Sequence, residues 1–342
     1  MKYTRKTGRR LVVVLSLIML ITMVSCGKGG LIGKNKGLNA DAEKAGSVET
    51  EKLTKDSVVV AVGDETASYR EMMVYMYILK TKYQDVFGDE VWTYKLNNGR
   101  TMSSVAIEQV ISMITEMRII SRQASERGIE LTGDEIESIR RFSETIYNSA
   151  TEEDRKEYYL DTETITNVFC ENELASKVFD SCITGVASGI SDEDAKQITV
   201  QYLYLQTNGP NQNGIEVTLS EKEAAKKYKE AKRIRKNVKE IRDFKAYAQS
   251  NTDAVNVQIT FGRGDMSDEF TDAAMKLKPG EFSPVVTAPE GYYIIYCVSD
   301  NEPELTLQKK EELIKKAQKE NFESQYNEWS KNYEVVVSEL IL

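Results

Sequence analysis

The sequence predicts an α+β protein in which a mainly helical unit is interrupted by a smaller unit of mixed helix and strand. Between residues 58 and 190, apolar side chains recur at helical spacing after one short β-branched run. From Ile198 onward the spacing changes to the alternation of a strand. Residues 305–331 return to helical spacing before a terminal strand at 334–337. Because a lone helix and strand cannot bury themselves, we expect them to complete the first unit.

The N-terminal unit has clear helix boundaries. Ser68 with Glu71, and Thr132 with Glu135, have the spacing of capping boxes, and Gly128 ends the helix between them. One strand at 58–62 and about five helices are predicted up to residue 190.

The central unit is predicted to alternate strands and helices. Strands are expected at 198–205, 255–261 and 292–298, with helices near 220–242, 244–248 and 270–277. Asn208 to Pro210 and Asn213-Gly214 are loop signals. This order predicts a compact α+β domain with an antiparallel-rich sheet.

The first residues have the composition of an export signal. A basic start precedes an uncharged apolar run from Leu11 to Val24, which is shorter than the about 20 residues of a membrane-spanning helix. Ser25 then precedes Cys26, which resembles a bacterial lipobox. We therefore expect Cys26 to carry a lipid that anchors the protein on the extracytoplasmic face of the cell membrane. Ordinary secretion and an uncleaved anchor are the alternatives.

These patterns divide the chain into five segments. The predicted order is a signal peptide at 1–25, a flexible tether at 26–57, the helical domain at 58–190, a second domain at 191–301, and a C-terminal helix and strand at 302–342 that complete the helical domain.

Composition excludes several kinds of chemistry. The chain contains no histidine, so histidine-based triads and histidine-ligated zinc sites are excluded. No glycine-rich phosphate loop is present, and the net charge of −9 makes nucleic acid an improbable partner. Cys170 and Cys182 are predicted to lie about 18 Å apart on one helix, too far for a disulfide. We expect buried thiols, no metal and no cofactor.

Several motifs resemble the exported parvulin-type foldases of the PrsA and SurA kind. The resemblance is carried by residues 58–71, 124–135, 261–270, 277–285 and 291–295. It implies a SurA-like helical chaperone domain, completed by the C-terminal helix and strand, with an inserted parvulin-like domain. It also implies unfolded or proline-containing exported polypeptides as partners. A homodimer through the helical domain is left open.

The central domain departs from the parvulin pattern where catalysis is expected. Tyr202 and Tyr293 stand where the resemblance implies histidines, and Asp253 is the candidate for the family's acidic or cysteine position. The glycine-rich segment before the second strand is replaced by residues 255–259. The resemblance implies that the apolar proline-pocket positions are retained at Met266 and Phe270. We predict peptide contacts at Met266, Phe270 and Phe261.

These departures leave three interpretations of function. The first is a chaperone or foldase with weak or no isomerase activity. Met72, Met73 and Met76 could contact clients in this interpretation, but core packing is the favoured role for them. The second is an active peptidyl-prolyl cis-trans isomerase, because twisting an X–Pro amide needs no proton transfer. The third is a non-catalytic lipoprotein scaffold. The basic helix at 222–242 is interpreted as a solvated face, with contact to anionic lipid or wall polymer as the alternative.

Overall fold

The computed structural model describes residues 53–96, 99–211 and 213–341. It divides into two compact units. One contains the described residues up to Thr184 and from Glu320 onward, and the other is Gly185–Lys319. Cys26, the signal peptide and most of the tether lie outside the described residues. The predicted domain boundaries stay predictions.

A three-stranded sheet joins the two ends of the first unit. Strand β1 (Val58–Val62) pairs antiparallel with β2 (Glu65–Ser68) on one edge. On its other edge, Val60 of β1 lies opposite Val337 of the last strand of the chain, Val335–Val337. The predicted docking of the C-terminus on the first unit is therefore confirmed. Strand β2 was not predicted, because four residues are too short to show a period.

Five helices follow this hairpin, as predicted. In chain order they are α1 (Tyr69–Phe87), α2 (Met102–Glu126), α3 (Gly133–Ser149), α4 (Glu152–Glu157) and α5 (Thr162–Ile183). The capping boxes at Ser68 and Thr132 are both formed. Each box satisfies backbone N–H groups at a helix start through side chains close in sequence, so local sequence suffices to define it.

The core of the first unit forms where these helices meet the sheet. Ile120 on α2 and Val178 on α5 are fully buried. Phe322 and Tyr326 from the C-terminal helix are buried in the same cluster. Met72 is buried, and Met73 and Met76 are partly buried against this cluster, so the structure places the methionines in core packing.

The second unit is built on a four-stranded antiparallel sheet. Its elements are α6 (Asp192–Ala195), β3 (Ile198–Gln206), β4 (Asn208–Pro210), β5 (Glu216–Thr218), α7 (Glu221–Asn237), α8 (Phe244–Asn251), β6 (Gln258–Phe261), α9 (Asp268–Ala274), β7 (Val286–Ala288) and β8 (Gly291–Ser299). The sheet order is β6-β3-β8-β7. The predicted mixed α+β class and the antiparallel sheet are confirmed.

Both faces of this sheet are covered, which explains why residues 202–205 of β3 form an unbroken run of aromatic and aliphatic side chains. Val200 and Tyr202 belong to the core on the α9 side, whereas Leu203 and Leu205 belong to the core beneath α7 and α8. Because side chains alternate along a strand, consecutive apolar residues serve two separate cores.

Besides α6 and β7, which were not predicted, two regions of the second unit differ from the sequence prediction. Residues 208–210, predicted as a loop, pair with Glu216–Thr218 in a small hairpin. The strand expected at 255–261 begins only at Gln258, and Val255 is 75% exposed. The reason is that Thr252 and Asp253 hydrogen-bond to the edge of β3 first, which holds this part of the chain in a loop.

The last residues of the predicted tether are held by the first unit. The backbone N–H of Tyr69 donates to Ser57, and that of Arg70 donates to Lys55. The Arg70 side chain also pairs with Asp56 at 3.0 Å. Residues 53–57 therefore form part of the folded unit.

At the other end, β9 (Val335–Val337) follows helix α10 (Pro303–Ser330), within which the division between units falls. Within the described residues, no helix has the length and apolarity needed to cross a membrane.

Candidate functional site

The two predicted degenerate positions lie on adjacent central strands of the second unit. In the register of β3 and β8, Tyr202 lies opposite Ile295 and Tyr204 lies opposite Tyr293. The rings of Tyr204 and Tyr293 stack with centroids 4.7 Å apart, and those of Tyr202 and Tyr293 lie 6.1 Å apart. We refer to Tyr202, Tyr204 and Tyr293 as the tyrosine cluster. Pairing of the two strands therefore brings together residues about 90 positions apart.

Two phenylalanines close one side of the tyrosine cluster. Phe270 on α9 makes edge contacts with Tyr202 and Tyr293 at centroid distances of 5.5 and 5.0 Å. Phe261, at the end of β6, packs on Phe270 at 5.4 Å. Phe270 is 0% exposed and Phe261 is 1% exposed. A direct peptide contact by either ring would require this core to open.

Met266 lies at the edge of the same core. It is partly buried and packs against the aromatic residues from the turn that precedes α9. Of the three predicted peptide contacts, Met266 is therefore the one that retains solvent-accessible surface. The structure brings Met266, Phe261 and Phe270 together with Tyr202 and Tyr293, but mostly as a packed interior.

Two hydroxyls of the tyrosine cluster, those of Tyr204 and Tyr293, reach the turn between β7 and β8. Tyr293 Oη donates to Glu290 Oε1 at 2.8 Å, and Ser267 Oγ donates to the same oxygen at 2.8 Å. Tyr204 Oη donates to the backbone carbonyl of Glu290 at 2.9 Å. Glu290 therefore links the tyrosine cluster to the start of α9.

Burial keeps these hydroxyls protonated. It raises the pKa of Tyr202 and, together with the Glu290 carboxylate, raises that of Tyr293 well above its ordinary value. Burial, followed by the charges of Glu290 and Asp253, raises the pKa of Tyr204 to about 12. All three hydroxyls therefore remain protonated at neutral pH, and none is suited to act as a general base.

Asp253 is engaged by backbone and by a lysine. Its Oδ2 accepts from the backbone N–H of Gln206 at 2.9 Å and from Lys227 Nζ at 2.7 Å. Its own N–H donates to the carbonyl of Tyr204 at 2.9 Å. These contacts fasten the loop before β6 to the edge of β3, which gives Asp253 a positioning role beside the tyrosine cluster.

Sequence reasoning missed Tyr204, Glu290 and Ser267. Tyr204 follows Tyr202 at strand spacing, so its presence on the same face was detectable. Glu290 and Ser267 are far apart in sequence and lie outside any recognisable local pattern. Among the described residues, no group of histidine, cysteine, aspartate or glutamate side chains has the arrangement of a metal site.

The segment that contains most of this site matches a known family model. Residues 211–299 match the model of the PPIC-type PPIASE domain, named Rotamase. The resemblance of these motifs to parvulins is thereby confirmed. Asp253, Met266 and Tyr293 lie inside the matched segment, whereas Tyr202 and Tyr204 precede it.

The individual proteins that the chain resembles include isomerases and foldases. A peptidyl-prolyl cis-trans isomerase of Neurospora crassa, ssp-1, is 57% identical over 35 residues. That alignment covers 10% of this chain and 19% of the fungal protein.

Solved structures give a broader but weaker likeness. PrsA from Bacillus cereus is 16% identical, with 70% of this chain and 89% of that chain covered at a TM-score of 0.32. A structure from Campylobacter jejuni, whose description refers to SurA-like chaperones, is 10% identical to this chain. The alignment covers 82% of this chain and 99% of that chain at a TM-score of 0.30.

Proposed function

We propose that this protein is an extracytoplasmic, lipid-anchored chaperone or foldase that binds unfolded exported polypeptides and has weak or no isomerase activity. The proposal of low isomerase activity rests on one observation: the side chains at the expected catalytic positions are packed in the interior. Tyr293 is 5% exposed and Tyr202 is 9% exposed. A proline ring needs an open apolar pocket, and here aromatic side chains of the protein itself occupy that volume.

An exposed aromatic surface on the first unit supports the chaperone role. Val86 and Phe87 at the end of α1 are 69% and 65% exposed, and Tyr94 in the following turn is 64% exposed. The ring of Tyr83 lies 6.3 Å from that of Phe87 and 6.0 Å from that of Trp92, which precedes Tyr94 in the turn after α1. We call Val86, Phe87 and Tyr94 the aromatic patch. Exposed apolar groups of this kind are typical of surfaces that bind apolar segments of other chains.

The chaperone role is tested by the aggregation of a chemically unfolded client. We expect the wild-type protein to suppress light scattering and the variant Val86→Ser/Phe87→Ser/Tyr94→Ser to suppress it several-fold less. Val58→Ser/Tyr159→Ser is the control, since both residues are exposed and lie near the start of α1, whereas the aromatic patch lies at its end. Val58 follows Ser57, which accepts from the N–H of Tyr69, and the ring of Tyr159 contacts that of Tyr69. Equal suppression by both variants would remove the aromatic patch as the client site. No suppression by the wild type would favour the scaffold interpretation.

An active isomerase is the second candidate, and the partial exposure of Met266 beside the tyrosine cluster favours it. Uncatalysed X–Pro isomerisation takes tens to hundreds of seconds, so catalysis is easily measured in a proline-limited refolding reaction. We expect no acceleration at stoichiometric protein. An acceleration that Met266→Ala abolishes would establish the isomerase instead.

The lipid anchor is tested at Cys26. We expect incorporation of labelled fatty acid into the wild type and none into Cys26→Ala, together with release of the variant from the membrane fraction. Cys170→Ala is the control, because Cys170 lies within α5. Labelling that persists in Cys26→Ala would remove the anchor proposal.

A further inference from the structure

Helix α7 carries a one-sided band of positive charge. It contains eight lysines and arginines against three glutamates, in a chain whose net charge is −9. Five of the cations are spaced by alternating steps of four and three residues: Lys222, Lys226, Lys229, Arg233 and Lys236. At 3.6 residues per turn these positions fall within about 80° of the helix circumference and extend over about 21 Å. We call these five residues the basic stripe.

The basic stripe is exposed, and its nearest counter-charge on the helix is Glu223, which interacts with Lys226 without forming an ion pair. All five side chains are exposed, and among the described residues none makes an ion pair. The buried residues Ala231 and Ile234 lie on the opposite side of the helix. The glutamates of the helix fall outside the basic stripe, and Glu223 is used in the N-terminal capping box.

Neighbouring like charges weaken a helix. An ordinary solvated face alternates charges of both signs, so this arrangement differs from a surface that serves solubility alone.

A groove runs beside the basic stripe. It has a volume of about 570 Å³ and is lined by Tyr228, Lys232, Arg235, Lys236, Pro284 and Val285. Arg235 donates to the carbonyls of Phe282 and Ser283 and so fixes the wall opposite the helix. Lys232 Nζ lies 4.5 Å from the centroid of the Tyr228 ring. The lining of the groove therefore combines three cations with Tyr228, Pro284 and Val285.

This surface lies on the other side of the sheet from the tyrosine cluster. The ring of Tyr228 contacts Tyr292 at 5.1 Å, and Tyr292 packs in the core beneath α7. Tyr293, the next residue, belongs to the opposite core. A ligand on the basic stripe would therefore bind without displacing the aromatic interior.

We propose that the basic stripe and its groove bind an acidic segment of an extended polypeptide, an inference that rests on the proposed function and specifies its substrate. The about 21 Å of the basic stripe corresponds to roughly six residues of extended chain. Beside the cations, Tyr228, Pro284 and Val285 offer apolar contact to a peptide side chain. Binding to a membrane interface also favours exposed large apolar side chains, and among the described residues α7 has none exposed.

The test measures the affinity of the full chain for a labelled twelve-residue peptide with glutamate at alternate positions, and for the same peptide with glutamine instead. We expect Lys229→Gln/Arg233→Gln/Lys236→Gln to weaken binding of the acidic peptide roughly tenfold. Lys315→Gln/Lys316→Gln/Lys319→Gln removes the same charge from α10 and should leave the affinity within about twofold of wild type. Lys229→Arg/Lys236→Arg, which keeps the charge, should retain binding. Thermal unfolding of each variant establishes that it is folded.

Three outcomes would overturn the proposal. One is equal affinity of the wild type for the acidic and glutamine peptides. A second is equal weakening by the stripe and α10 variants, which would indicate net charge alone. The third is that the stripe variant Lys229→Gln/Arg233→Gln/Lys236→Gln loses binding to phosphatidylglycerol vesicles but keeps its affinity for the acidic peptide. This result would assign the basic stripe to lipid. Failure of the wild type to suppress aggregation while acidic-peptide binding persists would remove the foldase role and leave the binding site.

Discussion

The two units join distant segments of the chain in chemically different ways. In the first, Arg118 on α2 reaches Glu71 on α1 at 2.5 Å and Glu171 on α5 at 2.7 Å. In the second, protonated hydroxyls of the tyrosine cluster connect two strands to the turn at Glu290. A charged centre stabilises the fold only while all partners are present, since an unpaired charge away from water lowers the free energy of unfolding. A neutral aromatic centre spreads its stabilisation over packing and tolerates the loss of one polar group better.

Loss of the charged centre gives the largest expected effect. Arg118→Met should lower the free energy of unfolding by about 3 kcal/mol at pH 8, because the partly buried carboxylates of Glu71 and Glu171 are left without their cation. Urea denaturation measures this change. Arg140→Met is the control, since Arg140 forms an exposed pair with Glu137 and its loss should cost below about 1 kcal/mol. Similar losses for both variants would show that the Arg118 network stabilises the fold no more than an exposed ion pair does.

A second buried charge in the first unit should destabilise it in a pH-dependent way. Glu116 on α2 is 4% exposed, and burial raises its pKa to about 7 from an ordinary value of 4.5. A raised carboxyl pKa means that the folded state binds the proton more tightly, so stability falls as pH rises from about 4.5 to 7.

Glu116→Gln should therefore raise the free energy of unfolding by about 2–3 kcal/mol at pH 8 and leave it unchanged near pH 4. Denaturation across this pH range measures the effect. Glu126→Gln, at an exposed position of the same helix, should show no such trend. A pH-independent gain for Glu116→Gln would contradict the charge argument.

A packing change should affect the second unit by an intermediate amount. At Gly291, a Cβ atom would lie 2.3 Å from the carbonyl oxygen of Leu205 and 2.8 Å from the ring of Tyr204. Gly291→Ala should therefore separate β3 from β8 and cost about 1–3 kcal/mol in unfolding free energy. At Gly189 a Cβ atom meets nothing within 4 Å, so Gly189→Ala should be near neutral in the same measurement. Equal stability of the two variants would show that the strands approach less closely.

Removal of one hydroxyl from the tyrosine cluster gives the smallest expected effect. Tyr293→Phe deletes one hydrogen bond to Glu290, whose Oε1 still accepts from Ser267, so the expected loss is about 1 kcal/mol. Tyr296→Phe on the same strand is the matched control and should change the free energy of unfolding little. A loss for Tyr293→Phe as large as that for Arg118→Met would abolish the contrast between the units.

Local sequence was sufficient to predict the helices and their starts. The capping boxes at Ser68 and Thr132 use side chains three residues from the groups that they satisfy, so their chemistry is contained in four consecutive residues. The docking of the last strand was also predictable, because an isolated strand must find a partner. The short strands β2 and β7 were not, since three or four residues carry no readable period and their pairing depends on a neighbouring strand.

Tertiary contacts decided what the predicted site residues do. Asp253, chosen as a candidate for the acidic position, has its carboxylate directed to Lys227 and a backbone N–H. Glu290 gains its role only because the β7–β8 turn brings it within hydrogen-bond distance of Ser267 and two tyrosines.

By itself, the sequence determined the order of the longer helices and strands, the absence of histidine chemistry and the spacing of the basic stripe. These features depend on residue type and on separations of a few positions, which are fixed along the chain. Only the tertiary structure decided that the aromatic residues fill their own interior, because burial depends on which faces meet across the sheet. It also decided that the cations of α7 border a groove, since the opposite wall comes from Pro284 and Val285, about 50 residues away.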